Sequence, residues 1–90
     1  MSGEPAAPLA ACPARPASPG VRLDQQGALF GLFSRHATRV WLCLFDTPDQ
    51  REPTAEFTLE PDTHRFGDLW GIYLRGVKPG QRYMYRVDGP

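Results

Sequence analysis

An antiparallel all-β sandwich is the fold class this sequence predicts, on three observations. Short apolar runs rich in Phe, Tyr, Trp, Val and Leu recur from Val21 onward. Each run is bounded by Gly, Pro, Asp or Ser, which supply the backbone angles of turns. No segment carries apolar residues at i, i+3, i+4 and i+7 over three turns, so no amphipathic helix is expected. Short strands repeating at roughly ten-residue spacing suit a sandwich. A length of 90 residues suits one small domain, with little stability to spare.

Residues 1–20, "MSGEPAAPLAACPARPASPG", hold five of the ten prolines. Proline fixes φ and removes a backbone donor, so this stretch is expected to be a disordered or polyproline-like tail, with the domain spanning 21–90. It contains P-x-x-P in "PARP", a weak match to a proline-recognition ligand. The expected strands are "ALFGLF" (28–33), "RVWLCLF" (39–45), "AEFTL" (55–59), "LWGIYLR" (69–75) and "RYMYRV" (82–87). The last two flank a Pro-Gly turn and look like a hairpin. Side chains alternate along a strand. Val40, Leu42 and Leu44 therefore share one face, and Trp41, Cys43 and Phe45 the other. In the last run Tyr83, Tyr85 and Val87 form the core-facing row; Arg82, Met84, Arg86 and Asp88 face away. A strand of a free-standing sandwich meets water on one side. The 39–45 strand is apolar on both, so it is either covered twice or meets another domain.

The totals exclude several function classes. Ten Lys plus Arg balance ten Asp plus Glu, which argues against nucleic-acid binding. No apolar run approaches the ~20 residues needed to span a membrane, and no secretory signal pattern opens the chain. A cytoplasmic location is the default. The two cysteines, Cys12 and Cys43, lack partners at metal-ligand spacing, and nothing in their context suggests pairing. Neither a metal nor a cofactor is expected.

The chemistry-bearing residues point away from catalysis. His36 and His64 fall in expected loops without a nucleophile or metal partner. Ser34 lacks the G-x-S-x-G elbow, and no phosphate-binding glycine loop occurs. Asp46, Asp49, Glu52, Glu60, Asp62, Asp68 and Asp88 lie where turn formation explains them. The aromatic residues Trp41, Trp70, Tyr73, Tyr83 and Tyr85 are dense. Such rings build β cores, and they can also stack on sugars. Trp70 and Tyr73 have opposite parity in one strand, so only one of them can face the core of a one-sided sheet.

The order "GALFGLFSRHATRVWLCLFD", an acidic loop, then "GDLWGIYLRGVKPGQRYMYRVDGP" resembles the N-terminal domain of bacterial glycogen debranching enzymes and isoamylases, glycoside hydrolases of the α-amylase superfamily. The similarity covers residues 21–90. It implies an immunoglobulin-like early-set β-sandwich, also classed as an isoamylase-type carbohydrate-binding module. In that family the domain precedes a (β/α)8 barrel that carries the carboxylates for α-1,6 branch-point hydrolysis. None of the barrel motifs occurs here, so no hydrolase activity is expected, and the terminal "DGP" reads as a domain boundary. Sugar-binding members carry a tryptophan in the loop after the strand matching 39–45 and a lysine on the final strand. Here the loop is "DTPDQREP", and the lysine position falls at Met84, between Arg82 and Arg86. Trp41 stands where the family commonly has a polar residue, which makes it a candidate docking anchor.

Three readings follow. The resemblance implies a non-catalytic domain packed on a catalytic barrel of the same polypeptide, helping shape its glucan site. The alternative is an autonomous glycogen- or starch-binding module, with Trp41, Trp70 and Arg86 as candidate carbohydrate-binding residues. A third is an immunoglobulin-type interaction domain unrelated to glucans.

Overall fold

The computed structural model describes residues 9–89. Its elements are β1 (Ala10–Pro13), β2 (Gly20–Leu23), β3 (Gly27–Phe33), β4 (Arg39–Phe45), β5 (Ala55–Leu59), β6 (Arg65–Phe66), β7 (Leu69–Arg75) and β8 (Arg82–Asp88), with no helix among the described residues. They form two antiparallel sheets. One has the order β1-β7-β3-β2, with β6 also on β7; the other has the order β5-β4-β8. The sheets pack face to face as the expected immunoglobulin-like early-set sandwich.

Alternation builds the core. β3 contributes Ala28 and Phe30, β4 contributes Val40, Leu42 and Leu44, β5 contributes Leu59, and β7 contributes Trp70, Ile72 and Leu74, all at most 2% exposed. Each large apolar side chain buried this way stabilises by about 1.5–3 kcal/mol. The Trp70 indole N–H donates to the Ser34 carbonyl at 3.0 Å, so its one polar atom is satisfied inside. Arg65 lies 5.4 Å from the Trp70 ring centroid and donates to the carbonyls of Arg35 and Gly67. This fixes the loop between β3 and β4 over the end of the core.

The expected hairpin between the last two strands does not form. β7 pairs with β3 and β1, whereas β8 pairs with β4 in the opposite sheet. Residues 76–81 cross from one sheet to the other, and Val77 drops into the core on the way. The Pro79-Gly80 pair turns the chain within that crossing, with Gly80 at φ +88°. A tight turn there re-aims the strand; it does not fold it back on its neighbour. The inward row of β8 is also less buried than expected. Tyr85 is half-buried, but Tyr83 and Val87 are 41% and 49% exposed. β8 is an edge strand, and the short β2 opposite it leaves Val21 and Leu23 partly open as well.

The expectation of a disordered tail over 1–20 fails for its described part. β1 pairs along β7, with Ala10 opposite Arg75 and Pro13 opposite Ile72. β2 lies on the far edge of the same sheet, beside β3. The chain therefore crosses the outside of the sheet between them. It crosses where Gly31 and Gly71, direct partners in the β3–β7 ladder, leave the outer surface without side chains. A Cβ at Gly71 would strike the Ala14 carbonyl and the Pro16 ring; one at Gly31 would stand 2.8 Å from the Pro16 Cβ and 2.7 Å from the Ser18 carbonyl. Pro16 is buried in this notch. Proline is tolerated because β1 is an edge strand and Pro13 is its last residue. Residues 1–8 of the expected tail lie outside the described residues.

The β2–β3 turn is held by Asp24. Its carboxylate accepts the backbone N–H groups of Gln26 and Gly27, both at 2.8 Å, and the Tyr73 hydroxyl at 2.9 Å. Tyr73 projects from the outer face of β7, so this bond ties the turn to the central strand. The Gln26 amide first, then the Tyr73 hydroxyl and the Gly27 amide, hold the Asp24 carboxyl below its ordinary range.

Two outcomes are expected. Gly71→Ala should lower unfolding free energy by about 1–3 kcal/mol through overpacking, read from urea denaturation. In a chain lacking residues 1–19 the same change should be nearly neutral. The depressed Asp24 pKa makes its contribution whole above about pH 4 and lost as pH falls through the lower folded value. Thermal melts of wild type and Asp24→Asn should therefore differ most near neutrality and converge in acid.

Candidate functional site

The outer face of the β5-β4-β8 sheet gathers the side chains the inner face rejects. Register places Trp41 between Thr58 and Arg86, and Cys43 between Glu56 and Met84. Arg86 reaches across β4 to Glu56, Nη2 to Oε2 at 2.8 Å. On the way its guanidinium lies 5.1 Å from the Trp41 ring centroid. A cation over an indole face gains about 0.5–1 kcal/mol at an exposed site. The Arg86–Glu56 pair is itself solvent-exposed and adds little stability. Its effect is positional: it holds a guanidinium over a flat ring and beside a carboxylate on the surface.

Cys43 is 5% exposed beneath this bridge, its Sγ 3.6 Å from Glu56 Oε2. Burial first, then the Glu56 charge, pushes the thiol up from its ordinary pKa. It stays protonated and unreactive at neutral pH. Cys12 is exposed on β1, and both cysteines are free. The two-sided apolarity of β4 is thus met in part from within the domain. Long side chains of the flanking strands fold over its outer face, while Trp41 and Phe45 remain only half-buried.

A groove of about 360 Å³ continues from this face, walled by Phe45, Pro48, Arg51, Arg82 and Met84 among others. Met84 is 61% exposed. The loop "DTPDQREP" shapes the groove because Gln50 organises it. The Gln50 side chain accepts from the Asp46 and Thr47 amides at 2.9 and 3.2 Å, and donates to the Glu52 carbonyl and Thr54 hydroxyl at 2.7 and 2.8 Å. An apolar floor with arginine at its margins can hold a partly apolar, hydroxyl-rich ligand or the side chains of a protein neighbour.

The structure brings Trp41 and Arg86 together and sets Trp70 apart. Trp70 is fully buried on the other sheet, so its reading as a sugar contact is corrected: parity in β7 turns it inward and Tyr73 outward. The groove residues Phe45 and Met84, and Glu56 as the clamp on Arg86, were not singled out as site residues from sequence. The outward parity of Phe45 and Met84 was the available signal.

Hydrolysis by paired carboxylates needs the two groups facing across a substrate. On this face Glu56 is committed to Arg86. His64 Nδ1 accepts the Glu60 amide hydrogen at 3.0 Å, and burial lowers its pKa, so it serves the loop after β5 as a neutral acceptor. No group of three or more potential metal ligands occurs among the described residues.

Comparison with known proteins meets this geometry from another side. Residues 17–90 match the family model of carbohydrate-binding module 48, the isoamylase N-terminal domain. The chain is 48% identical over 75 residues to a glycogen debranching enzyme of Yersinia pestis, covering 83% of this chain and 10% of that protein. It is 52% identical over 71 residues to a glycogen debranching enzyme of Serratia proteamaculans, covering 79% of this chain and 10% of that protein. The chain thus spans about a tenth of the length of these relatives. With the family model matching most of an all-β sandwich, the chain belongs to the carbohydrate-binding module 48 family, the isoamylase N-terminal domain.

Proposed function

We propose that this chain is a non-catalytic domain of a glycogen-debranching, α-1,6-glucan-hydrolysing protein, and that it packs on a catalytic (β/α)8 barrel of the same polypeptide and helps shape its glucan site. One observation carries the reading: the outer face of β4 presents Trp41 and Phe45 half-exposed in the middle of a sheet, with Met84 open beside them. A solvent-facing sheet surface is ordinarily polar. A fixed tryptophan with a stacked arginine is the composition of an interface anchor. The commitment of Glu56 to Arg86 supports a binding role over a hydrolytic one. A cytoplasmic location belongs to the same proposal.

A second reading rests on the groove. Its arginine margins and Gln50-ordered loop suit an autonomous glycogen- or starch-binding module, with Trp41 and Arg86 at the sugar. The two readings differ in what the isolated chain does. Affinity electrophoresis in glycogen should leave it unretarded under the docking reading; retardation abolished by Trp41→Ala would favour the module. Co-purification with the barrel portion of a related debranching enzyme tests the docking directly. Trp41→Ala should weaken that association about 30-fold, the cost of losing a hot-spot residue, while leaving the chain folded by circular dichroism. Undiminished association of the variant would sink the docking reading.

A further inference from the structure

We infer that β8 is a self-complementary edge through which two copies of this chain pair into a symmetric dimer. Among the described residues β8 is the longest open edge, with seven residues and no internal proline. The other edges are weaker templates: β1 ends in Pro13, β2 has four residues, and β5 is bracketed by Pro53 and Pro61. An unblocked edge of this kind invites pairing with another strand.

The Leu44 carbonyl accepts from Thr54 N–H at 2.8 Å, which aims Leu44 at β5. Backbone groups alternate sides along a strand, so Arg39, Trp41, Cys43 and Phe45 aim theirs at β8. Their register partners Asp88, Arg86, Met84 and Arg82 are thereby engaged on β4. The Asp88 carbonyl, accepting from Thr38 N–H at 2.7 Å, agrees. The N–H and C=O groups of Tyr83, Tyr85 and Val87 are left pointing off the free edge.

A second β8, antiparallel and centred on Tyr85, meets these groups with its own. Tyr83 then lies opposite Val87 and Tyr85 opposite Tyr85, giving about six backbone hydrogen bonds. On the outer face Arg82 lies opposite Asp88, twice by symmetry. Neither residue has an ion-pair partner within the chain among the described residues. Sliding by two residues one way sets Arg82 against Arg86; the other way sets Arg86 against Arg86. Of these three registers only the Tyr85-centred one is free of like-charge pairs, and a slide by four residues leaves only three or four residues of each strand facing each other. On the inner face the same register covers Tyr83 and Val87, the two most open side chains of that row, at 41% and 49% exposure. The contact is isologous and closes at two copies, and it joins the two three-stranded sheets into one.

Sedimentation velocity over a concentration series, on the whole 90-residue chain, tests this. Wild type should show a monomer–dimer equilibrium. Asp88→Arg should weaken it about tenfold by opposing like charges at both ends, and the Arg82→Asp/Asp88→Arg double variant should restore it. Val87→Pro, which deletes an edge N–H without touching the β4 ladder, should abolish it while circular dichroism stays that of a β-protein. A wild type monomeric throughout, a dimer indifferent to Asp88→Arg, or a double variant that fails to recover overturns the proposal. The barrel-docking reading rests on the outer face of β4 and is unaffected by any of these outcomes.

Discussion

The sandwich depends on the row of Trp70, Ile72 and Leu74 on β7 meeting Val40, Leu42 and Leu44 on β4. Each row is the inward half of a seven-residue strand, and each is almost fully removed from water. β7 is the hub of its sheet, pairing with β3 on one side and with β1 and β6 on the other. β4 is the centre of the second sheet. Every other strand is positioned by hydrogen bonds to one of these two or, for β2, to β3. The parity that commits three side chains of each strand to the core also commits their neighbours to the outside. Trp41, Cys43 and Phe45 therefore point to the outer face because Val40, Leu42 and Leu44 point inward, and of the three only Cys43 is covered there by neighbouring side chains.

That coupling explains how the family's sandwich carries this chain's surface. The outer face of the small sheet is built from residues whose backbone positions are fixed by core burial. Its rigidity is inherited, and ordering it on contact with a ligand or partner costs little conformational entropy. Arg86 and Glu56 contribute position, since an exposed pair of this kind contributes little stability. The Gln50-centred loop does the same for the groove, giving it a wall braced by backbone hydrogen bonds.

The strands were legible because their signals are local. Alternation and turn residues placed five of them within a residue of their ends. The inward or outward sense of Trp70 against Tyr73, and of Trp41 against Leu42, also followed from parity. Three features depended on tertiary context. The β7–β8 connection resembled a hairpin because Pro-Gly turns serve both hairpins and inter-sheet crossings; the burial of Val77 separates the two. The openness of Tyr83 and Val87 followed from the shortness of β2, which no pattern in β8 records. The ordering of residues 9–20 was hidden because proline content argues against a strand, while the space that holds Pro16 is made some 15 and 55 residues downstream by Gly31 and Gly71. A glycine at mid-strand is a sign of close backbone approach, and here there is one in each of two paired strands. The Arg86–Glu56 bridge needed the β5-β4-β8 strand order before the two residues could be seen to meet.

The notch at Gly31 and Gly71 bears on where this domain can be trimmed. Family similarity begins at residue 17, immediately after the proline that fills the notch. A protein cut to the similar range keeps both glycines and loses the ring seated over them. It also strips the β7 edge of β1, baring the backbone of the strand that organises the larger sheet. The smallest unit that preserves this packing is therefore longer at its amino end than the recognisable family domain, and it starts no later than Ala10.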